Sequence, residues 1–216
     1  MVNWKDLTAK ISDPKILKQH YVTSTKLFNA KHHFKILKEI VPTQRAIDLV
    51  RIEFGKKKLI YEIPSSPSKK NLQFYDELEF IFYNLRSCID SFLWEINLLF
   101  ELRCSKAGQV IHVMKNKFEE KEITEQLNSL KEKTWFKYLS EIRNNLIHRL
   151  LSEVAIDKEL LLYLPSRPFT NEPNPTVYNL GTEYELFTCL DELIKNAMDF
   201  LEKGYRILVK DFPKIG

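Results

Sequence analysis

The feature that most constrains the fold is a stripe of large apolar side chains between Leu72 and Arg103. Its members alternate at spacings of three and four residues: Tyr75, Leu78, Phe82, Leu85, Ile89, Phe92, Ile96 and Leu99. This spacing places side chains on one face of an α-helix. The pattern predicts one long helix whose stripe packs against other helices, either within a bundle or across a dimer interface.

The same periodicity indicates helices along most of the chain. They are predicted over residues 23–41, 119–131, 134–151 and 182–209, with a break near Lys133. Residues 108–117 read as irregular or weakly helical. Only five glycines and nine prolines occur in 216 residues, and this scarcity favours helices over a turn-rich β fold. We therefore expect a mainly α, single-domain helical bundle spanning residues 1–216.

Two segments do not fit a minimal bundle and read as insertions. Within residues 43–70, the stretch 43–63 is either a short helix ending at Gly55 or a β-hairpin that turns at Gly55-Lys56. β-branched and aromatic residues crowd both arms, which favours the hairpin. Residues 164–181 contain four prolines and predict an extended loop.

Composition excludes several classes of site. Three cysteines lie far apart without CxxC spacing, which argues against a disulfide framework or a zinc site and fits a reducing cytoplasm. The charged N-terminus lacks the apolar run of a signal peptide, and no apolar stretch is long enough to span a bilayer. Phosphate-binding glycine loops, GxSxG and HExxH are missing from the sequence. No metal, cofactor or membrane partner is expected, and a net charge of +4 permits nucleic-acid contact without requiring it.

A short polar motif, Arg-Asn-Asn-Leu-Ile-His at residues 143–148, carries the chemistry most suited to phosphate. The Arg143 guanidinium offers a permanently charged fork of donors, and His148 exchanges protons near neutral pH. On an ideal helix Arg143 falls inside an apolar arc, where it must be paired or reach a wet cavity. The step to His148 leaves the two side chains about 140° apart around the axis. Either the helix end distorts near His148, or two copies of the helix meet across a two-fold axis.

The arginine, the four residues that follow it and the histidine, in the form RN-x-x-x-H, resemble the signature of the HEPN superfamily. The resemblance implies a homodimer whose paired motifs line a shared cleft. It also implies a metal-independent endoribonuclease that cuts single-stranded RNA by attack of the 2′-OH. Such an enzyme would act as a toxin or as a defence or stress effector. Arg143 would then neutralise the scissile phosphate, His148 would move the proton, and Asn144 would orient the imidazole or donate to a phosphate oxygen.

One departure from the family pattern bears on regulation. HEPN toxins that a partner nucleotidyltransferase modifies have a tyrosine two residues beyond the histidine, where this chain has Leu150. Control by that route is not expected, whereas an antitoxin or another protein partner remains open.

Other interpretations of the motif stay open. Arg143 could anchor its helix to a buried carboxylate, with His148 at the surface near the helix end. The chain could also be a non-catalytic dimeric module that binds a protein or nucleotide ligand, or a purely structural dimer built on the apolar stripe.

A second polar line runs beside the stripe and contains Arg86, Asp90 and Asn97. An intrahelical Arg86–Asp90 pair with a polar rim is the favoured interpretation. The alternative is that Asp90 pairs with Arg143 or orients His148 from a neighbouring helix. The stretch LRSCIDSFLWEIN also resembles the second core helix of some HEPN relatives. Glu95 lies well round from this line and is expected to be solvated or to partner a basic residue.

Overall fold

Six α-helices make up most of the part of the chain that the computed structural model describes. That part comprises residues 13–40, 50–54, 58–62, 69–149, 154–156, 162–164 and 184–211. The helices are α1 (Pro14–Ile40), α2 (Lys69–Leu99), α3 (Ala107–Lys117), α4 (Glu122–Glu132), α5 (Thr134–Arg149) and α6 (Leu186–Asp211). The predicted mainly α bundle is confirmed. Over the described residues, no helix is both long and apolar enough to cross a membrane.

The long helix α2 is the centre of the bundle. The stripe residues Leu78, Phe82, Leu85, Ile89, Phe92 and Ile96 are all buried, as the periodicity predicts. Residues outside the stripe, Ile81, Cys88 and Leu93, are buried as well, because α1, α3, α5 and α6 all pack against α2. The stripe is therefore covered within one chain, and the idea of a dimer built on it is wrong.

Helix α1 begins at Pro14, nine residues before the predicted start at Thr23. Asp13 caps it, since its carboxylate accepts a 2.7 Å hydrogen bond from the backbone N–H of Lys15. The early turns were missed because their buried face contains polar residues, His20 and Thr23, which periodicity does not count as core. Helix α1 runs antiparallel along α2, with the start of α1 next to the end of α2.

Residues 108–117 were predicted to be irregular or weakly helical, and the structure has a regular helix there, α3. It is an 11-residue helix that buries Val110, Ile111 and Met114. Its first turn is closed by Gln109, whose side-chain oxygen accepts from the backbone N–H groups of Ser105 at 3.1 Å and Lys106 at 3.3 Å. Three buried positions are too few to produce a clear helical period. The predicted break at Lys133 is confirmed, because this residue is extended between α4 and α5.

Helix α6 closes the core with the face that the sequence indicates. Leu190, Leu193, Ile194, Ala197, Leu201 and Tyr205 are all buried. It begins at Leu186, after the predicted Thr182, because residues 184–185 form a strand. Near its end Gly204 allows close approach to α2: a Cβ there would lie 2.5 Å from the ring of Phe92.

Five short strands pair antiparallel in chain order: β1 (Val50–Phe54), β2 (Lys58–Glu62), β3 (Val154–Ile156), β4 (Leu162–Leu164) and β5 (Tyr184–Glu185). β1 and β2 pair as the arms of a hairpin, with Phe54 opposite Lys58, so the helical alternative is wrong for residues 50–54. Residues 43–49 and the predicted turn at 55–57 lie outside the described part of the chain. The Pro-rich loop predicted from residue 164 lies outside the described residues, apart from Leu164 in β4.

Candidate active site

The motif residues lie on α5, and Arg143 occupies the position that its sequence context predicts. Tyr138, Leu139 and Ile142 are buried around it, and Arg143 itself is partly buried. The carboxyl group two residues earlier, Glu141, has its pKa raised by burial.

His148 lies in the last turn of α5, which is helical through Arg149. Asn144 lies one turn earlier on the same helix. A helical backbone over the whole motif keeps the Cβ directions of Arg143 and His148 about 140° apart. The side chains of residues 144–149 lie outside the described part of the structure, so their contacts, and the convergence of the motif on one groove, remain predictions.

Arg86 pairs with Asp90 within α2 and also contacts α5. The Arg86 guanidinium donates to the Asp90 carboxylate one turn along α2, so the intrahelical interpretation is confirmed. The same guanidinium lies over the ring of Phe136 on α5, 4.7 Å from its centroid. This cation–π contact holds the start of α5 against α2. The partner that the structure gives Asp90 is Arg86.

Asn97 has a structural position at the end of α2. Its side-chain oxygen accepts a 2.9 Å hydrogen bond from the backbone N–H of Cys104, and its amide donates to the Cys104 carbonyl at 3.5 Å. Between them the chain reverses through Glu101 and Arg103, which adopt positive φ angles of 49° and 58°. Asn97 therefore stabilises the turn that leads into α3.

The most developed polar cluster is one that sequence reasoning missed. Glu95 is 1% exposed, not solvated as one expectation had it, and it accepts hydrogen bonds from side chains of two other helices, α1 and α6. The donors are His20 at 3.1 Å, Thr23, and the Tyr205 hydroxyl at 2.7 Å. The other expectation for Glu95, a basic partner, is met by His20. A carboxylate inside an apolar run was the available signal, but its partners are 72 to 110 residues away in sequence.

Electrostatics support a structural role for this cluster. Burial first, and then the neighbouring Glu95 charge, raise the pKa of Tyr205 well above its ordinary value. Tyr205 is 1% exposed and packs edge-on against His20 and Phe92, each with ring centroids 4.9 Å away. Solvent and substrate have no access to these buried atoms. The cluster therefore serves to join α1, α2 and α6 through hydrogen bonds.

Two further classes of site can be addressed for the residues whose placement is described. Among them no group of three or more His, Cys, Asp or Glu side chains could hold a metal ion. Burial, and secondarily the charge of Asp90, raise the pKa of the Cys88 thiol to about 12, so this cysteine stays protonated and unreactive at neutral pH.

Comparison with protein families decides the relationship of the chain. A family model described as HEPN_Cthe2314-like HEPN matches residues 64–208, well over half of the chain. The chain belongs to the HEPN family. No curated protein and no solved structure gave a significant match.

The HEPN match contains helices α2 to α5 in full and α6 up to Leu208, and so includes both Arg143 and His148. The supporting residues Arg86, Asp90 and Asn97 also lie within it. Helix α1 and the β1–β2 hairpin precede the matched region. Helix α1 therefore lies outside the matched region, although its buried face belongs to the common core.

Proposed function

We propose that this HEPN protein is a metal-independent endoribonuclease that cuts single-stranded RNA at a site built on Arg143, Asn144 and His148. The observation that carries the proposal is the position of Arg143: it is partly buried on α5, among buried apolar neighbours, within the family-matched region. A half-desolvated guanidinium binds a phosphate more strongly than a fully solvated one does.

The chemistry follows from the residue types. His148 accepts the proton of a ribose 2′-OH as this oxygen attacks the adjacent phosphorus. The bond to the 5′-oxygen breaks, and that oxygen takes up a proton as it leaves. The products are a 2′,3′-cyclic phosphate and a 5′-OH end, so no metal or cofactor enters the balance. Arg143 donates to the phosphate oxygens on which negative charge increases in the transition state. Asn144 orients the imidazole or donates a hydrogen bond to a phosphate oxygen.

A homodimer completes the proposed site. The Cα–Cβ bonds of Arg143 and His148 are about 140° apart around one helix, so one chain alone is expected to direct only one of these residues at a given phosphate. A two-fold axis that brings two copies of α5 together supplies Arg143 from one protomer and His148 from its partner.

The test is cleavage of a labelled single-stranded RNA in the presence of EDTA. Arg143→Ala and His148→Ala are each expected to lower the cleavage rate by about 10²-fold or more, the usual effect of removing a charge-stabilising donor or a general base. Matched surface controls are Arg206→Ala and His112→Ala, at exposed positions on α6 and α3, which should cleave like wild type. An RNA with a single 2′-deoxy nucleotide at the cleavage position should remain intact.

Equal cleavage by wild type and both motif variants would contradict the proposal. If wild type does not cleave RNA but captures a protein or nucleotide through the same dimer surface, the non-catalytic module is the better account. A role as a toxin or a defence or stress effector predicts that induced expression of wild type, but not of His148→Ala, arrests growth. It also predicts that a protein inhibitor can be co-purified with the chain.

A further inference from the structure

Helix α1 accounts for the net positive charge of this protein. It contains six lysines and one carboxylate, Glu39, so its formal charge of +5 exceeds the +4 of the whole chain. The rest of the chain is close to neutral. Five of the six lysines are exposed: Lys15, Lys18, Lys31, Lys35 and Lys38. A basic helix on a near-neutral protein indicates an anionic partner.

The exposed aromatic surface is found in the same place. All exposed large hydrophobic residues among those whose side chains are described lie on α1 and α2: Leu17, Tyr21, Phe28, Phe80 and Tyr83. Tyr21 and Phe28 are the most exposed, at 71% and 68%. A single exposed apolar side chain needs no explanation, but several that lie together and are bordered by polar residues mark an interaction site.

Charge and rings share one side of the helix. At about 100° per residue, an arc of about 120° contains Leu17, Tyr21, Phe28, Lys31, His32, Lys35 and Lys38, which we call the outer face of α1. Phe28 and His32 are stacked there with ring planes 4° apart and centroids 6.3 Å apart. The one carboxylate of α1, Glu39, also lies on this face, near its end, where it pairs with Lys35 at 3.9 Å.

One carboxylate of the neighbouring helix is engaged on the other side of α1. On the opposite flank of α1, His33 donates a 2.6 Å hydrogen bond to Glu77 of α2, and its ring stacks on Phe80. This contact fixes α1 on α2 and engages the Glu77 carboxylate away from the outer face. The outer face remains basic and aromatic.

We propose that the outer face of α1 is a binding surface for single-stranded RNA, on which bases stack against Tyr21 and Phe28 while Lys31, Lys35 and Lys38 contact phosphates. Stacking platforms bordered by cations are the usual way in which proteins hold unpaired nucleotides without reading their sequence. This inference rests on the proposed function for the identity of the substrate, but it concerns RNA binding and not cleavage. It assigns α1, which the family match does not include, the task of holding the strand.

The test measures binding of a fluorescent, unstructured 20-nucleotide RNA to the full-length chain by anisotropy, with EDTA present. All variants contain His148→Ala, so that cleavage does not interfere. Tyr21→Ala combined with Phe28→Ala is expected to weaken binding by about tenfold or more, since each lost base stack contributes substantially to affinity. Circular dichroism checks that each variant is folded.

The lysines are tested by the salt dependence of binding. A triple Lys→Gln variant at residues 31, 35 and 38 should make the slope of log K against log salt less steep by about 2, from about 0.7 per phosphate contact on a single strand. The matched control is a triple Lys→Gln variant at residues 115, 117 and 121, exposed lysines of α3 and the turn after it, which should leave both affinity and slope unchanged.

Three outcomes overturn the inference. They are an absence of RNA binding by the parent, α1 variants that bind like the parent, and an equal loss in the control triple variant. If the Tyr21→Ala, Phe28→Ala double variant has half the molecular mass of the parent in solution and still binds RNA, the outer face is a contact between copies of the chain. RNA binding that depends on α1, in a protein whose cleavage ignores Arg143 and His148, would support this inference and contradict the proposed function.

Discussion

The Tyr205 hydroxyl donates a 2.7 Å hydrogen bond to the Glu95 carboxylate, and both residues are almost completely buried. The bond joins α6 to α2, while His20 and Thr23 bring α1 to the same carboxylate. A buried carboxylate is tolerated only when donors replace its hydration. The cluster therefore sets the register of three helices around one charge.

Removing the Tyr205 hydroxyl is expected to destabilise the fold. Tyr205→Phe should lower the free energy of unfolding by about 1.5–3 kcal/mol, the usual contribution of a hydrogen bond to a charged group. Tyr83→Phe is the matched control at an exposed position, and its effect should stay within about 0.5 kcal/mol. Urea denaturation followed by circular dichroism measures both, and equal effects would contradict the role given to the cluster.

The same tyrosine predicts a loss of stability at alkaline pH. In the unfolded chain Tyr205 ionises near its ordinary pKa of 10.0, while in the folded protein its pKa is well above that value. Above pH 10 the unfolded state binds fewer protons than the folded state. The free energy of unfolding should therefore fall as pH rises, by at most about 1.4 kcal/mol per pH unit from this group.

The comparison of variants isolates this contribution. Tyr205→Phe should show a shallower decline above pH 10 than wild type, whereas Tyr83→Phe should decline like wild type. Parallel curves for wild type and Tyr205→Phe would show that the folded-state pKa of Tyr205 is not raised.

Gly204 predicts a steric limit between α6 and α2. A Cβ at this position would lie 2.5 Å from the Phe92 ring, which is itself buried against Phe200 and Tyr205. Gly204→Ala should lower stability by about 1–3 kcal/mol from overpacking, less the roughly 1 kcal/mol that alanine contributes to a helix. Gly108→Ala on α3 has no heavy atom within 4 Å of its Cβ and should be neutral or stabilising. Thermal unfolding of the pair gives the answer, and a stabilised Gly204→Ala would contradict the close contact.

Thiol labelling tests the environment of the cysteines. Cys88 and Cys189 are buried and Cys104 is partly exposed. With its pKa raised to about 12, Cys88 has almost no thiolate at pH 8. A disulfide reagent should therefore label Cys104 first in the native protein, and label the other two only after unfolding. Cys104→Ser should remove the fast phase, and a fast phase that persists would place Cys88 or Cys189 at the surface.

Local sequence predicted most of the helical architecture. The stripe on α2, the buried side of α6 and the break at Lys133 are each properties of a few neighbouring residues, so periodicity reveals them. The motif on α5 is local as well, and the family match includes it. The early turns of α1 and the short helix α3 were missed because polar core residues and few buried positions weaken the periodic signal.

The buried partners of Glu95, in contrast, could not be predicted from local sequence. His20, Thr23 and Tyr205 come from helices far apart in sequence, and no local pattern marks any of them as a donor. Similarly, the lysines of α1 are spaced too widely to form a basic run, and their alignment with Tyr21 and Phe28 becomes evident only once the whole segment is known to be helical.

Residue periodicity thus indicated most of the helical segments and which side of each is apolar, because these depend on contacts between residues three and four apart. Packing of the helices selected α2 as the central element, paired its carboxylate with donors from two other helices, and left one basic, aromatic side of α1 exposed. These outcomes depend on contacts between distant segments, whose pairing is set by the free energy of the whole core and not by any short stretch of sequence.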